Sequence, residues 1–191
     1  MNSKRNKSQK TRESIFKACS RILRTKGFTS LTLKAVADEA GISKGGLLYH
    51  FPNKSSLIQA LFEYHNNLFE QRLQEILKDE DGKPGAYLRA YAKASIEEAA
   101  NTKNADLYAS LFAAEEKYSG AHRLMREKYD RWQTAVENSG LDPSWATFLR
   151  LTVDGIWFSL INRYAPPQGE DLEKITAMLL QLTQMNNFLE K

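Results

Sequence analysis

Three features of the 191-residue sequence predict an all-α fold. Apolar residues in every long segment recur at three- and four-residue intervals, the spacing of one helix face. No segment alternates β-branched and polar residues as a half-buried strand would. Proline and glycine fall mostly at segment ends, where a chain turns. About nine helices follow from these breaks. The first three form a helix-turn-helix head, and a longer helical body follows it.

The first helix runs from about Gln9 to Lys26, with Ile15, Phe16, Cys19, Ile22 and Leu23 on one face. Gly27 is a natural terminator. Thr32 is placed to cap a short second helix that carries Leu33, Val36, Ala37 and Ala40. The two alanines let neighbouring helices approach closely, and Gly41 supplies a positive-φ turn that a side chain disfavours. Ser43 caps a third helix from Lys44 to about Tyr49, and Ile42 and Leu47 fill the small core between helices two and three. Pro52 enforces a stop, and Asn53 caps a long fourth helix from Lys54 to about Lys78. KDEDGKPG (78–85) reads as the clearest linker. Further helices are expected at about 85–101, 105–117, 120–139, 143–164 and 170–188.

Composition excludes several classes. With 42% hydrophobic residues and a net charge of +4, the chain has enough apolar surface to fold. No uninterrupted apolar run exceeds four residues, so no membrane span is expected. The basic start lacks the apolar stretch of a secretory signal, and a single cysteine, Cys19, excludes an intrachain disulfide. A cytoplasmic protein is expected. The charge is uneven: residues 1–54 hold twelve basic and three acidic groups, the remainder fifteen and twenty. A head at +9 on a body at −5 suits a polyanionic partner at the head alone; a solvated basic tail is the plainer alternative.

The string IFKACSRILRTKGFTSLTLKAVADEAGISKGGLLYHFPNKSSLIQAL is more specific than any helix-turn-helix pattern. Its Lys-Gly-Phe, Thr-x-Lys, Ala-x-x-Ala-Gly-Ile-Ser-Lys-Gly and Leu-x-Tyr-His-Phe segments, then Asn-Lys and a long helix, resemble the DNA-binding domain of TetR-family transcriptional regulators. The resemblance is strong over residues 10–65. It implies a DNA reader in residues 1–54 and an effector-binding and dimerisation domain in residues 55–191. It places Ser43, Lys44, Gly45 and Gly46 at the start of the recognition helix, against base edges and phosphates. The two glycines either admit close backbone approach or mark a poorly formed turn; each costs a helix about 1 kcal/mol relative to alanine. Tyr49, His50, Lys54, Thr32 and Lys34 fall where the family meets phosphates, although His50 equally suits local packing. Lys4, Arg5, Lys7 and Lys10 are expected as a mobile arm. Leu48 departs from the tyrosine common in the family. It either packs on a thymine methyl or is half-buried.

In the body, residues 143–164 offer two apolar stripes: Leu149, Val153, Ile156 or Trp157, Leu160 and Tyr164 on one side, and Phe148, Leu151 or Thr152, Gly155, Ser159 and Asn162 on the other. A helix apolar on two sides is buried on two sides. With Leu172, Ile175, Leu179, Leu182, Met185 and Leu189 after it, this points to a homodimer through the last two helices, as the resemblance also implies. The same resemblance implies a palindromic double-stranded DNA operator, repression, and a small-molecule effector. Aromatic residues are dense in the body, Phe69 and Tyr129 among them. The candidate effector residues are Phe62, Tyr91, Tyr108, Phe112, Glu115, Trp132, Asp154 and Trp157. Asp154 interrupts an apolar helix, so it is solvent-facing, paired, or aimed into a cavity. Asp-Gly-x-Trp resembles some regulators that answer to cationic aromatic drugs. Glu115 and Glu116 are either counter-charges for such a cation or a solvated face. Enzyme motifs such as G-x-S-x-G, H-E-x-x-H, C-x-x-C and the phosphate loop are absent, and the histidines have no metal-ligand spacing. Neither an enzyme nor a cofactor or metal is expected. The competing reading is a helix-turn-helix protein without a small ligand, architectural or protein-responsive.

Overall fold

The computed structural model describes residues 2–115 and 117–185, with side chains from Asn6 onward. Among these residues the chain is helical throughout, with one 3-10 turn and no strand. The helices are α1 (Asn2–Lys26), α2 (Leu33–Ala40), α3 (Lys44–His50), α4 (Lys54–Lys78), α5 (Ala86–Ala100), α6 (Thr102–Glu115), α7 (Ser119–Glu137), α8 (Pro143–Asn162) and α9 (Glu170–Leu182); the 3-10 turn is Phe28–Ser30. The all-α expectation holds. The mobile arm is corrected: α1 begins at Asn2, not near Gln9. Residues 2–9 contain no glycine or proline, so no helix breaker stops α1 from propagating. The side chains of Lys4 and Arg5 lie outside the described residues, as do Glu116 and Leu189.

The chain divides into two compact units: residues up to His65 with Asp106–Leu124, and Asn66–Ala105 with the residues from Met125 onward. In the first unit, Ile15, Cys19, Leu23, Leu31, Val36, Leu47, Phe51, Leu57, Leu61 and Leu107 form a fully buried core. The unit runs past Lys54 because Leu57, Ile58, Leu61 and Phe62 of α4 bury their side chains in it. Ser110 Oγ of α6 also donates to the Leu23 carbonyl at 3.2 Å. Cys19 packs as a small apolar group, and burial pushes its thiol up to about 12.

One polar device sits inside this core. Ser20 Oγ donates to the Phe16 carbonyl (2.9 Å) and lies 3.0 Å from His65 Nε2. The single hydroxyl proton is spent on Phe16, so His65 Nε2–H is the donor to Ser20. Burial, then the charge of Arg24, lowers His65 to about 4, which keeps the ring neutral.

The second unit packs α5 against α8, and α9 against α5. Leu73, Leu88, Val136, Leu149 and Val153 are fully buried there. The expected linker at 78–85 is a tightly bound corner instead. Arg89 and Glu80, both with side chains 8% exposed, pair through Nε at 2.6 Å. The same guanidinium donates to Asp81 Oδ1 (2.9 Å), to the Pro84 carbonyl (2.9 Å) and to the Thr183 carbonyl (3.5 Å). Gly85 adopts φ 81°, and a Cβ there would lie 2.3 Å from the Thr183 carbonyl, so only glycine fits.

Candidate functional site

Local capping builds the helix-turn-helix. The Ala35 N–H donates to Thr32 Oγ1 (3.1 Å), which starts α2. Gly41 ends it in the left-handed region (φ 67°, ψ 33°), and the Ile42 N–H returns to the Ala37 carbonyl at 3.0 Å. The Gly46 N–H donates to Ser43 Oγ (3.0 Å), which starts α3. Val36, Ala37 and Leu47 fill the space between the two helices, while Ile42 is only half-buried. Arg21 Nε donates to Glu39 Oε1 at 2.6 Å and holds α2 to α1. At the far end of α3, Phe51 is buried against Phe16 (centroids 5.6 Å apart), with the Arg12 guanidinium 4.7 Å above its ring.

This scaffold leaves one face of α3 open. Ser43, Lys44, Gly45 and Tyr49 are exposed, Tyr49 at 85%, as are Thr32 and Lys34 at the start of α2. Leu48 and His50 are half-buried; His50 sits edge-on to Tyr49, with centroids 5.3 Å apart. The two glycines differ. A Cβ on Gly46 would come within 3.3 Å of Ser43 Oγ, so the cap itself favours a small residue there. A Cβ on Gly45 would meet only Ser43 Oγ, at an ordinary 3.9 Å. Nothing inside the chain requires glycine at 45. Lys54, at the first position of α4, lies 4.8 Å above the Phe28 ring, and burial, then Lys117, lowers its pKa.

The candidate effector residues fall in both units. Phe62, Tyr108, Phe112 and Glu115 belong to the first unit. There Phe62 is core, Phe112 is exposed, Tyr108 packs edge-on to His65, and Glu115 pairs with His122 at 3.0 Å. Tyr91, Trp132 and Asp154 come together in the second unit. Tyr91 OH donates to Asp154 Oδ1 at 2.7 Å, and the Tyr91 and Trp132 rings lie 6.0 Å apart. Phe69 sits edge-on to both, and Tyr129 edge-on to Trp132. Trp132 Nε1 donates to Glu70 Oε2 (3.1 Å), while Trp157 Nε1 donates to Glu98 Oε2 (3.3 Å). Asp154 is paired with Arg150 one helical turn earlier, whose Nη1 donates to Asp154 Oδ2. Burial raises Asp154; the Tyr91 hydrogen bond and Arg150 draw it back down. Burial and the Asp154 charge hold the Tyr91 hydroxyl protonated. A separate cavity of about 560 Å³ is lined by Asp81, Lys83, Arg89, Gly140 and Leu141, and includes none of the candidate effector residues.

Two family models match this chain. Bacterial regulatory proteins of the tetR family match residues 15–61, and the tetracyclin repressor-like C-terminal domain matches residues 85–184. The chain belongs to the TetR family. Over 73 residues it is 36% identical to the HTH-type transcriptional regulator YerO of Bacillus subtilis, across 38% of this chain and 25% of that protein. Over 76 residues it is 33% identical to the nucleoid occlusion factor SlmA of Photobacterium profundum, across 39% of each. The chain thus spans well under half the length of these curated relatives. A crystal structure of the multidrug binding protein EbrR complexed with ethidium shares the fold, with TM-score 0.67, 22% identity, and coverage of 90% of this chain and 98% of that one.

In this TetR-family chain the last two helices carry an uncovered apolar face. Leu149, Val153 and Ile156 of α8 point inward and are buried, whereas Phe148 (55% exposed), Leu151 and Phe158 are not. Gly155 lies among the latter with nothing within 4 Å of its Cβ position. On α9, Leu179 is buried while Ile175 and Met178 are exposed. Sequence reasoning did not single out Phe69, Glu70 or Arg150, which border the Tyr91–Trp132–Asp154 cluster. Phe69 and Glu70 sit beside Trp132 only because α4 and α7 pack together. Arg150 was visible as the residue four before Asp154 and carried a readable signal.

Proposed function

We propose that this protein is a DNA-binding transcriptional repressor that acts as a homodimer on a palindromic double-stranded operator. The observation that carries the proposal is Gly45: α3 tolerates glycine at an exposed helical position where nothing in the chain needs it. That residue type suits a backbone that approaches DNA. Ser43, Lys44, Gly45 and Gly46 enter the major groove at the exposed start of α3, and Lys44 reads a guanine edge or a phosphate. Thr32, Lys34, Tyr49, His50 and Lys54 hold phosphates, with half-buried Leu48 behind them. Residues 1–54 are the reader, and residues 55–191 bind the effector and join the two copies through α8 and α9. The exposed face of Phe148, Leu151, Gly155, Phe158 and Met178 supports that interface. No helix is long and apolar enough to cross a membrane among the described residues, which supports a cytoplasmic regulator. No catalysis is part of the proposal.

The effector is a small amphipathic aromatic cation. Tyr91, Trp132 and Phe69 supply ring faces, and Asp154 and Glu70 supply negative charge at their border. The ethidium complex of the structural neighbour EbrR supports this class. A cation releases the protein only if it binds the DNA-incompetent arrangement more tightly. The similarity to SlmA favours a second reading, a DNA-binding protein without such an effector.

Fluorescence anisotropy against a selected operator and a scrambled duplex tests the proposal. Lys44→Ala is expected to weaken operator binding at least tenfold more than scrambled binding. Lys54→Ala is expected to weaken both and to lower the salt slope by about 0.9. Equal affinity of the wild-type protein for the two duplexes contradicts sequence-specific regulation. Unchanged operator affinity in saturating tetraphenylphosphonium, an aromatic cation that does not intercalate into the duplex, favours the second reading.

A further inference from the structure

We propose that Arg150 is a built-in substitute for the cationic effector, occupying the Asp154 carboxylate until an aromatic cation displaces it. The inference rests on the effector reading above and sharpens it into one specificity-determining residue.

The carboxylate is fully engaged within the chain. Oδ1 accepts from Tyr91 OH at 2.7 Å, and Oδ2 accepts from Arg150 Nη1. Both ionic partners are largely shielded, with side chains 12% and 21% exposed. A half-buried carboxylate without a cation is costly, so the empty protein needs a resident positive charge there. Arg150 reaches it from one turn away on the same helix, so the pair forms without a cation from another element. Arg150 holds a second partner at the same time, its Nε donating to Gln133 Oε1 at 2.5 Å. That bond to α7 keeps the guanidinium tethered when it leaves Asp154.

The contrast with Glu70 sharpens the assignment. Glu70 borders the same rings, but among the described residues its oxygens accept from the Trp132 indole (3.1 Å) and the Gln74 amide (3.0 Å) and from no cation. It adds negative potential without a resident cation to displace. Asp154 is thus the carboxylate whose occupancy an incoming cation must change, and Arg150 sets the threshold for that exchange. Neutral aromatic compounds do not compete for the carboxylate and are indifferent to Arg150.

The test titrates the full-length protein, free of DNA, with two probes of the same ring system: ethidium, a permanent cation, and phenanthridine, uncharged at pH 7.5. Arg150→Met is expected to bind ethidium at least tenfold more tightly than wild type, with phenanthridine affinity unchanged within twofold. Arg150→Met/Asp154→Asn is expected to lose that gain. If Arg150→Met does not fold, Arg150→Gln carries the same comparison, because its amide retains a partner in Gln133. Ethidium affinity unchanged in the single variant overturns the inference while leaving the effector reading intact, as does an equal gain for both probes, which reports only added space. If wild type and variants bind neither probe at 1 mM, the effector reading falls and the inference with it.

Discussion

Gly45 separates folding from function at a single position. Its φ is ordinary, a Cβ has room, and glycine costs a helix up to about 1 kcal/mol relative to alanine. Gly45→Ala is therefore expected to raise stability by up to about 1 kcal/mol in urea unfolding while weakening operator binding at least tenfold. A gain in stability with unchanged affinity would remove the close-approach argument. His65 gives the opposite kind of residue, one whose contribution is internal. Its folded pKa is depressed from 6.5 to about 4, so the unfolded chain binds the proton more readily. Stability then rises with pH across that window, and its contribution is fully present above 6.5 and lost as pH falls toward 4. His65→Phe is expected to flatten this dependence by about 3 kcal/mol over the window, measured as the difference between the two proteins in urea melts from pH 7 to pH 4. Carboxylates that titrate there are common to both proteins and cancel in the difference.

At the scale of elements, the helix boundaries around the turn were legible because their signals are local. Thr32, Ser43 and Asn53 each cap the helix that the sequence assigns to them, and Gly41 ends α2 in the left-handed conformation. Elements whose limits depend on distant partners were not legible. KDEDGKPG has the composition of a linker, yet buried Arg89 ties it to α5 and to the end of α9. The sequence shows the charges but not their convergence. Arg89→Met leaves buried Glu80 with Lys93 alone (2.6 Å) and takes a donor from the Pro84 and Thr183 carbonyls, and it is expected to cost about 1–3 kcal/mol in chemical unfolding. A loss under about 1 kcal/mol would show that the corner is solvated and mobile. The extension of α1 to Asn2 has a different cause: the resemblance suggested an arm, whereas a stretch free of glycine and proline lets the helix continue. The aromatic cluster was half legible. Tyr91, Trp132 and Asp154 were named from the sequence and meet in the second unit, whereas Phe62, Tyr108, Phe112 and Glu115 are part of the first, since residue type alone does not reveal which rings a helix brings together.

At the scale of the whole molecule, the charge imbalance and the uncovered apolar face describe two different surfaces. The +9 carried by residues 1–54 lies in the stretch that holds the open face of α3, and the remainder of the chain carries −5. The apolar residues of α8 and α9 are exposed in a single copy, and a second copy related by a two-fold axis would cover them. In the proposed dimer two heads would read two half-sites, which is why a palindromic operator is proposed. Hydroxyl-radical footprinting on an operator recovered from a random duplex pool tests this most directly. Two symmetric protected half-sites are expected, centred about 34–36 Å apart or a multiple of that spacing. A single unsymmetrical protected segment, or uniform protection of every duplex, would contradict it.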